Sequence, residues 1–269
     1  MARRVHRLDA ELVRRGLARS REQAVALITS GRVEVRGVRA ERPASGIDAE
    51  AALRVLPDAD DPGYASRGAH KLAGALAAFP GIAVAGRRCL DAGASTGGFT
   101  DVLLRAGAAQ VVAVDVGYGQ LAWKLRNDAR VRVVDRTNVR SLQPDAIGGP
   151  VQLCVADLSF ISLRVVLPAL TACTEPGGDL MPMVKPQFEV GRERLGKGGV
   201  VREPALRAEA VVAVADAAGR LGWQVAGVVR SPLAGPAGNV EFFLWLRREL
   251  ARPLTAEQLV RIVTTTEAQ

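Results

Sequence analysis

The chain has 269 residues, of which 48% are hydrophobic and 24% are charged, a composition typical of a soluble globular protein and not of a disordered or fibrous one. Its apolar runs are shorter than the roughly 18–20 residues of a membrane helix, and its N-terminus lacks an apolar signal core, so we expect a cytoplasmic protein without a membrane partner. Cys89, Cys154 and Cys173 are too few and too widely spaced to predict a disulfide framework or a metal site.

The net charge of +8 is distributed unevenly along the chain. Residues 1–42 contain eleven arginines and five acidic residues, so this short segment carries +6 of that total. A concentrated excess of arginine favours a polyanionic partner such as RNA, because guanidinium groups bind phosphates. The alternative interpretation is a solvated face in a chain that prefers arginine throughout.

The first elements follow the pattern helix, helix, strand, strand. Asp9 can cap a helix over Ala10–Arg15 that ends at Gly16, and Ser20 with Gln23 forms a capping box for a helix that continues to Thr29. Extended runs are predicted at Arg32–Val35 and Leu53–Leu56.

This unit resembles the RNA-binding domain first described in ribosomal protein S4, over residues 7–56. The resemblance implies that its arginines bind ribosomal RNA. The candidate RNA-binding residues are Arg4, Arg7, Arg14, Arg15, Arg19 and Arg21, with Arg67 just beyond the unit. We predict an RNA-binding domain over residues 1–58, a linker rich in Pro, Gly and Asp over 59–65, and a second domain over 66–269.

Strands and helices alternate in the second domain, which predicts a Rossmann-like α/β fold with a parallel sheet covered on both faces. The predicted strands are Arg88–Ala92, Val111–Val116, Val131–Asp135, Val151–Ala156, Asp179–Val184, Gln224–Val229 and Glu241–Leu246. The predicted helices are Lys71–Phe79, Gly98–Ala106, Gln120–Asn127, Ser162–Cys173 and Pro204–Leu221. The last of the seven strands has no room for a preceding helix, so we expect it to insert antiparallel.

A glycine-rich loop joins the first strand of this domain to the helix that follows, which is where a doubly wound sheet binds its cofactor. Asp91 precedes the loop, whose candidate cofactor-binding residues are Gly93, Ala94, Ser95, Thr96, Gly97, Gly98 and Phe99. Ser95 stands where the dinucleotide fingerprint requires a glycine, which disfavours an NAD-dependent oxidoreductase.

Acidic residues at the ends of the next two strands complete a pattern that fits S-adenosylmethionine. Asp115 can accept hydrogen bonds from both ribose hydroxyls of an adenosine, and Asp135 can receive the adenine amino group. The loop backbone can hold the carboxylate of the methionine half, while Asp91 accepts from its ammonium. The alternative is that all three acids have structural roles.

Lysine is rare in this chain, and two of its four lysines lie where the predicted sheet faces the cofactor. Lys185 follows the fifth strand and Lys71 lies on the helix before the first, while Asp157 ends the fourth strand and Glu241 begins the last. Methyl transfer to a ribose hydroxyl needs a base to take the proton, and lysine can serve where arginine cannot. We predict Lys185 as the base, Asp157 as its orienting partner, Lys71 as a fixed cation and Glu241 as the partner of Lys71.

The same segments resemble the TlyA group of ribosomal RNA 2′-O-methyltransferases, historically labelled haemolysins, whose catalytic domain is similar to the FtsJ methyltransferases. The motifs that carry the resemblance are residues 66–72, 91–100, 157–162, 184–189 and 238–241. It implies a Lys-Asp-Lys-Glu tetrad at Lys71, Asp157, Lys185 and Glu241, cytidine targets, and, for a chain with a full first helix, action on both ribosomal subunits.

Two other interpretations of the chain remain open at this stage. One is a membrane-active haemolysin, for which the sequence offers no long apolar segment. The other is an RNA-binding assembly protein whose second domain is catalytically idle. Phe160 and Phe188 follow two of the site residues and can either stack on a base or pack in the core.

Overall fold

The computed structural model describes residues 5–18, 20–56 and 62–265, apart from the side chain of Arg192. It divides the chain into two units, Met1–Gly63 and Tyr64–Gln269. Arg4 and Arg19, which are candidate RNA-binding residues, and residues 59–61 of the predicted linker lie outside the described residues.

The described residues of the N-terminal unit form two helices and five short strands. They are β1 (Val5–Arg7), α1 (Leu8–Arg14), α2 (Arg21–Thr29), β2 (Val33–Val35), β3 (Val38–Arg39), β4 (Gly46–Asp48) and β5 (Leu53–Val55). β1 pairs with β4, and β2 pairs with both β3 and β5, all antiparallel. Leu8 and Leu12 of α1 pack with Ile28 of α2 and Val33 of β2 in a small core.

The beginning of α1 differs from the prediction, whereas that of α2 agrees with it. Ser20 Oγ accepts a hydrogen bond from the backbone N–H of Gln23, so the predicted cap of α2 is present. Asp9, however, lies inside α1 and does not precede it, because its carboxylate is held by the side chains of Arg7 and Arg21. These two side-chain partners, of which Arg21 lies 12 residues away in the chain, therefore displaced the local capping preference.

The C-terminal unit alternates helices and strands. The strands are β6 (Arg88–Ala92), β7 (Gln110–Val114), β8 (Val131–Val134), β9 (Val151–Ala156), β10 (Thr174–Val184), β11 (Gln224–Arg230) and β12 (Phe242–Arg247). The helices are α3 (Gly68–Ala78), α4 (Gly98–Arg105), α5 (Trp123–Arg126), α6 (Pro144–Ile147), α7 (Leu163–Ala172), α8 (Pro204–Arg220) and α9 (Ala256–Thr265).

The seven strands form one sheet in the order β11-β12-β10-β9-β6-β7-β8. β6 to β10 run parallel, and β12 inserts antiparallel between β10 and β11. One face of the sheet packs on a cluster that includes Leu72 and Leu103, and the other on a cluster that includes Leu167 and Val211. The predicted α/β methyltransferase-type architecture with an inserted antiparallel strand is confirmed.

Several element boundaries differ from the prediction. Helices α6 and α9 were not predicted, and α9 buries Leu259 and Val263, four residues apart, against the larger core. α5 begins at Trp123 and not at Gln120, because the preceding segment turns back toward the Asp115 carboxylate, which accepts from the N–H of Gly117. None of the helices in the described part of the chain is long and apolar enough to cross a bilayer.

Candidate active site

The four predicted catalytic residues lie at or beside one cavity of about 460 Å³ at the carboxyl ends of the parallel strands. The ends of β6, β9 and β10 meet there because neighbouring parallel strands run in the same direction. Lys71, Asp157 and Lys185 line this cavity, as do the glycine-rich loop and residues 233–236. Glu241 does not line it but pairs with Lys71, which does. We call it the catalytic cavity.

Lys185 and Asp157 form the first ion pair of the site. Lys185 Nζ lies 2.6 Å from Asp157 Oδ1 and donates a hydrogen bond to Ser159 Oγ at 2.8 Å. The lysine is buried and Asp157 is partly buried, so solvent screens this pair less than a surface pair. The predicted neighbours are therefore in contact, and Ser159 is an additional partner that the sequence did not single out.

Lys71 and Glu241 form the second ion pair, although 170 residues separate them in the chain. Lys71 Nζ donates to Glu241 Oε2 at 2.5 Å, and Glu241 is 1% exposed. Its other oxygen, Oε1, is buried and accepts no hydrogen bond from the described residues. Gly235 leaves room for that oxygen, since a Cβ at this position would lie 2.6 Å from it.

The glycine-rich loop has the backbone conformation that its sequence favours. Gly93 has a φ of +88°, and a Cβ there would lie 2.6 Å from the carbonyl oxygen of Asp157. Gly97 has a φ of +95° immediately before α4, a conformation that favours glycine. Ser95 also has a positive φ, and its N–H donates to Asp115 Oδ2 at 2.8 Å. The loop is thereby tied to the end of the neighbouring strand.

A second cavity of about 510 Å³ adjoins the first through Gly93, Ser95, Asp157 and Ser159, which line both. Asp115 lines it, and its two carboxylate oxygens accept from the backbone N–H groups of Ser95 and Gly117. A carboxylate has about four acceptor positions, so Asp115 can still accept from further hydroxyls. The two cavities thus place polar backbone groups at the loop and a carboxylate at Asp115.

Asp91 and Asp135 line neither cavity. Asp135 pairs with Arg126 and accepts from the N–H of Gly119, so the structure gives it a local structural partner. Asp91 is fully buried behind the loop, where burial raises the pKa of its carboxyl to about 7. It accepts from Thr100 Oγ1 at 2.7 Å, while its Oδ1 has no hydrogen-bond partner among the described residues.

The aromatic pair Phe160 and Phe188 lies at the margin of the site. Their ring centroids are 5.3 Å apart, and Phe160 is 92% exposed, so Phe160 does not pack in the core. Phe160 also has a φ of +65°, which is uncommon for a bulky residue. The loops that carry the two rings are joined by Glu189, whose carboxylate accepts from Ser162 Oγ and the N–H of Leu163.

Two buried carboxylates hold the candidate RNA-binding arginines that the structure describes in the N-terminal unit. Arg7 and Arg21 pair with Asp9, and Arg14 and Arg15 pair with Glu11. The hydrogen bonds from Arg14 and Arg15 lower the pKa of Glu11 to about 2. Most of these arginine side chains stay exposed, 60% for Arg14 and 62% for Arg21. Arg67 belongs to the C-terminal unit and lines the catalytic cavity.

Comparison with protein families gives two matches. An FtsJ-like methyltransferase model matches residues 64–248, and an S4 domain model matches residues 6–52. The first match includes the glycine-rich loop and both ion pairs of the catalytic cavity.

Comparison with individual proteins gives relatives that extend over nearly the whole chain. The 16S/23S rRNA (cytidine-2′-O)-methyltransferase TlyA of Mycobacterium tuberculosis is 62% identical over 96% of both chains. Hemolysin A of Brachyspira hyodysenteriae is 35% identical over 88% of this chain and 97% of its own. A solved structure from Streptococcus thermophilus, described as a candidate hemolysin, has a TM-score of 0.77 and 38% identity over 99% of this chain and 97% of that one.

Proposed function

Because this chain belongs to the TlyA family of FtsJ-like rRNA methyltransferases, we propose that it transfers a methyl group from S-adenosylmethionine to the ribose 2′-hydroxyls of cytidines in ribosomal RNA. The relative from Mycobacterium tuberculosis, with 62% identity, is named for both the 16S and the 23S rRNA. We extend both targets to this chain, which would then act on both ribosomal subunits in the cytoplasm.

One observation carries the proposal: two lysine–carboxylate pairs face the same cavity as a glycine-rich loop. Each pair combines a cation and an acid. The pair of Lys185 and Asp157 would lie on one side of the reacting hydroxyl, and the pair of Lys71 and Glu241 on the other. Lysine can both give and accept a proton at this position, unlike arginine. This arrangement suits methyl transfer to a hydroxyl, because that reaction releases one proton, the proton of the hydroxyl itself.

The residues around the two cavities fit S-adenosylmethionine. The N–H groups of the glycine-rich loop at the start of α4 would hold the carboxylate of its methionine half, as a helix N-terminus favours anions. Asp115 would accept from the ribose hydroxyls. When bound, S-adenosylmethionine supplies an electrophilic methyl group. Asp91 is fully buried and would act on the methionine half only through the loop that follows it. Asp135 is paired with Arg126 and would support the adenine end only indirectly.

Lys185 would accept the proton of the 2′-hydroxyl, and Asp157 would hold the amine in place. Lys71 would stay protonated and stabilise the charge that develops on the oxygen. Glu241 keeps Lys71 in position, and its free Oε1 can accept a hydrogen bond from the incoming ribose. The exposed ring of Phe160 offers a face on which an unstacked cytosine could lie.

The N-terminal unit would deliver the enzyme to ribosomal RNA. Arginines paired with a buried carboxylate keep several N–H donors free, because a guanidinium has five. Arg7, Arg14 and Arg21 are therefore held in place and still able to bind phosphates. Arg67 would bind the RNA backbone beside the catalytic cavity.

The proposal is tested by methylating purified small and large ribosomal subunits from cells that lack the enzyme, with labelled S-adenosylmethionine. Nuclease digestion and mass spectrometry then locate the label. We expect 2′-O-methylcytidine in both subunits, and none with Lys185→Ala, which should still bind S-adenosylmethionine. Label on a base atom, or the absence of label with the wild-type chain, would contradict the proposal.

A further inference from the structure

Ser159 contacts Lys185, and it has no role in the function proposed above. Its hydroxyl accepts a hydrogen bond from Lys185 Nζ at 2.8 Å, on the same nitrogen that lies 2.6 Å from Asp157 Oδ1. Ser159 is exposed and lines both cavities, whereas Lys185 is buried. A solvent-facing hydroxyl therefore contacts an enclosed amine at the point where the two cavities join.

The geometry of a primary amine determines how this contact orients the lone pair of the nitrogen. Beyond its carbon, the nitrogen has three positions: an ammonium fills all three with N–H groups, and a neutral amine fills two with N–H groups and one with its lone pair. Ser159 accepts a hydrogen bond from one N–H group of this amine, whereas Asp157 Oδ1, 2.6 Å away, forms an ion pair with it and accepts no hydrogen bond from the described residues. The negative charge of Asp157 favours an N–H group on its side as well. The lone pair of a neutral Lys185 is then left for a group in the catalytic cavity.

With Asp157 alone, the amine could rotate about its terminal carbon–nitrogen bond and turn its lone pair in either of two directions. We propose that Ser159 is a positioning residue that removes this freedom and directs the proton-accepting position of Lys185 toward the 2′-hydroxyl. The inference rests on the proposed function, since it assigns Ser159 to the reaction of the same site.

The turn that carries Ser159 is held at both ends. Before it, the N–H of Asp157 donates to the carbonyl of Ala92 at 3.1 Å. After it, Ser162 Oγ donates to Glu189 Oε2 at 2.6 Å, and Phe160 takes the left-handed conformation, which is unfavourable for a non-glycine residue. Backbone strain of this kind persists where the surrounding structure fixes it, and it is common at functional sites.

The test compares Ser159→Ala with Ser159→Thr in the full chain. Single-turnover methylation of ribosomal subunits is measured with saturating S-adenosylmethionine. We expect Ser159→Ala to lower the rate on the order of tenfold, a part of the roughly 10²–10⁴-fold that a positioned base contributes. Ser159→Thr keeps the hydroxyl and should stay within about threefold of the wild type. Affinities for S-adenosylmethionine and for subunits should not change in either variant.

Thr265→Ala, which removes an exposed hydroxyl from α9, serves as the matched control and should methylate at the wild-type rate. A full rate for Ser159→Ala beside an inactive Lys185→Ala would overturn the role of Ser159 and leave the proposed function intact. Equal losses in the Ala and Thr variants, or a loss that weaker binding explains, would also overturn it. A full rate for Lys185→Ala would remove the base itself, and the inference with it.

Discussion

Each of the two units of this chain contains a buried carboxyl group, and the pKa values of these two groups shift in opposite directions. In the N-terminal unit, Glu11 is 1% exposed, yet hydrogen bonds from Arg14 and Arg15 lower its pKa to about 2. In the C-terminal unit, Asp91 is fully buried, and its pKa rises to about 7. Among the residues that the structure describes, no lysine or arginine pairs with Asp91, and the hydroxyl of Thr100 is its side-chain donor. Burial is the largest cause of the raised pKa of Asp91, whereas at Glu11 the arginine hydrogen bonds outweigh burial, so a buried carboxylate keeps its charge when a cation pairs with it.

The catalytic cavity adds a third arrangement, in which the partner is lysine. Asp157 and Glu241 pair with Lys185 and Lys71, whereas the buried acids of the N-terminal unit pair with arginine. Arginine stays protonated at every accessible pH, but lysine can release its proton. An arginine pair therefore suits a fixed phosphate-binding surface, and a lysine pair suits proton transfer.

Lys185→Arg would convert a pair of the catalytic cavity into the type found in the N-terminal unit. We expect the single-turnover methylation rate to fall at least about 100-fold, because the guanidinium keeps the charge but cannot accept a proton. Lys71→Arg should retain more activity, since a fixed cation needs no proton transfer. Lys124→Arg, at a lysine that pairs with Asp101 outside the cavity, is the control. The reverse ranking of the Lys185 and Lys71 variants would assign the base to Lys71.

Asp91→Asn would remove the buried carboxylate that lacks a cation. The folded chain binds the Asp91 proton more tightly than the unfolded chain, since its pKa rises from 3.8 to about 7. Stability should therefore fall as the pH rises from about 4 to about 7. At pH 8 the substitution should raise the free energy of unfolding by roughly 1–4 kcal/mol, and at pH 4 it should change little.

Urea unfolding followed by tryptophan fluorescence measures this effect in the C-terminal unit alone, because Trp123, Trp223 and Trp245 are the only tryptophans. Asp216→Asn, at an exposed position on α8, is the matched control. The same gain at both pH values would show that the ionisation of Asp91 is not the cause.

Asp115→Ala tests a carboxylate that faces a cavity and is held by backbone N–H groups. Its loss should weaken S-adenosylmethionine binding by roughly 1–3 kcal/mol, because the ribose hydroxyls would lose a charged acceptor. Calorimetric titration gives the affinity, and Asp128→Ala, whose carboxylate pairs with Arg130, is the comparison. Unchanged affinity in Asp115→Ala would contradict its assignment to the cofactor.

Arg14→Gln should give the smallest effect, and it tests an arginine–carboxylate pair on the surface of the N-terminal unit. We expect subunit affinity to fall by about threefold to tenfold and the salt dependence to lose about one counterion, as for the loss of one phosphate contact. Arg261→Gln, at an exposed position on α9, should leave both unchanged. If the salt dependence of Arg14→Gln matched the wild type, Arg14 would not bind phosphate.

The sequence by itself determined the local features of this protein. The alternation of strands and helices predicted the seven-stranded sheet, the glycine-rich run after the first of these strands predicted the loop before α4, and Ser20 predicted the start of α2. The scarcity of lysine pointed to Lys71 and Lys185. Such features depend on backbone preferences and hydrophobic periodicity, which act over a few residues.

Only the tertiary structure decided which charges meet. It joined Lys71 to Glu241 across 170 residues, added Ser159 to the partners of Lys185, and paired Asp135 with Arg126 away from both cavities. It also buried Asp91 without a cation and turned the predicted cap Asp9 into an anchor for Arg7 and Arg21. A pairing of this kind depends on where distant strands and loops end in space, and so on the packing of the whole unit.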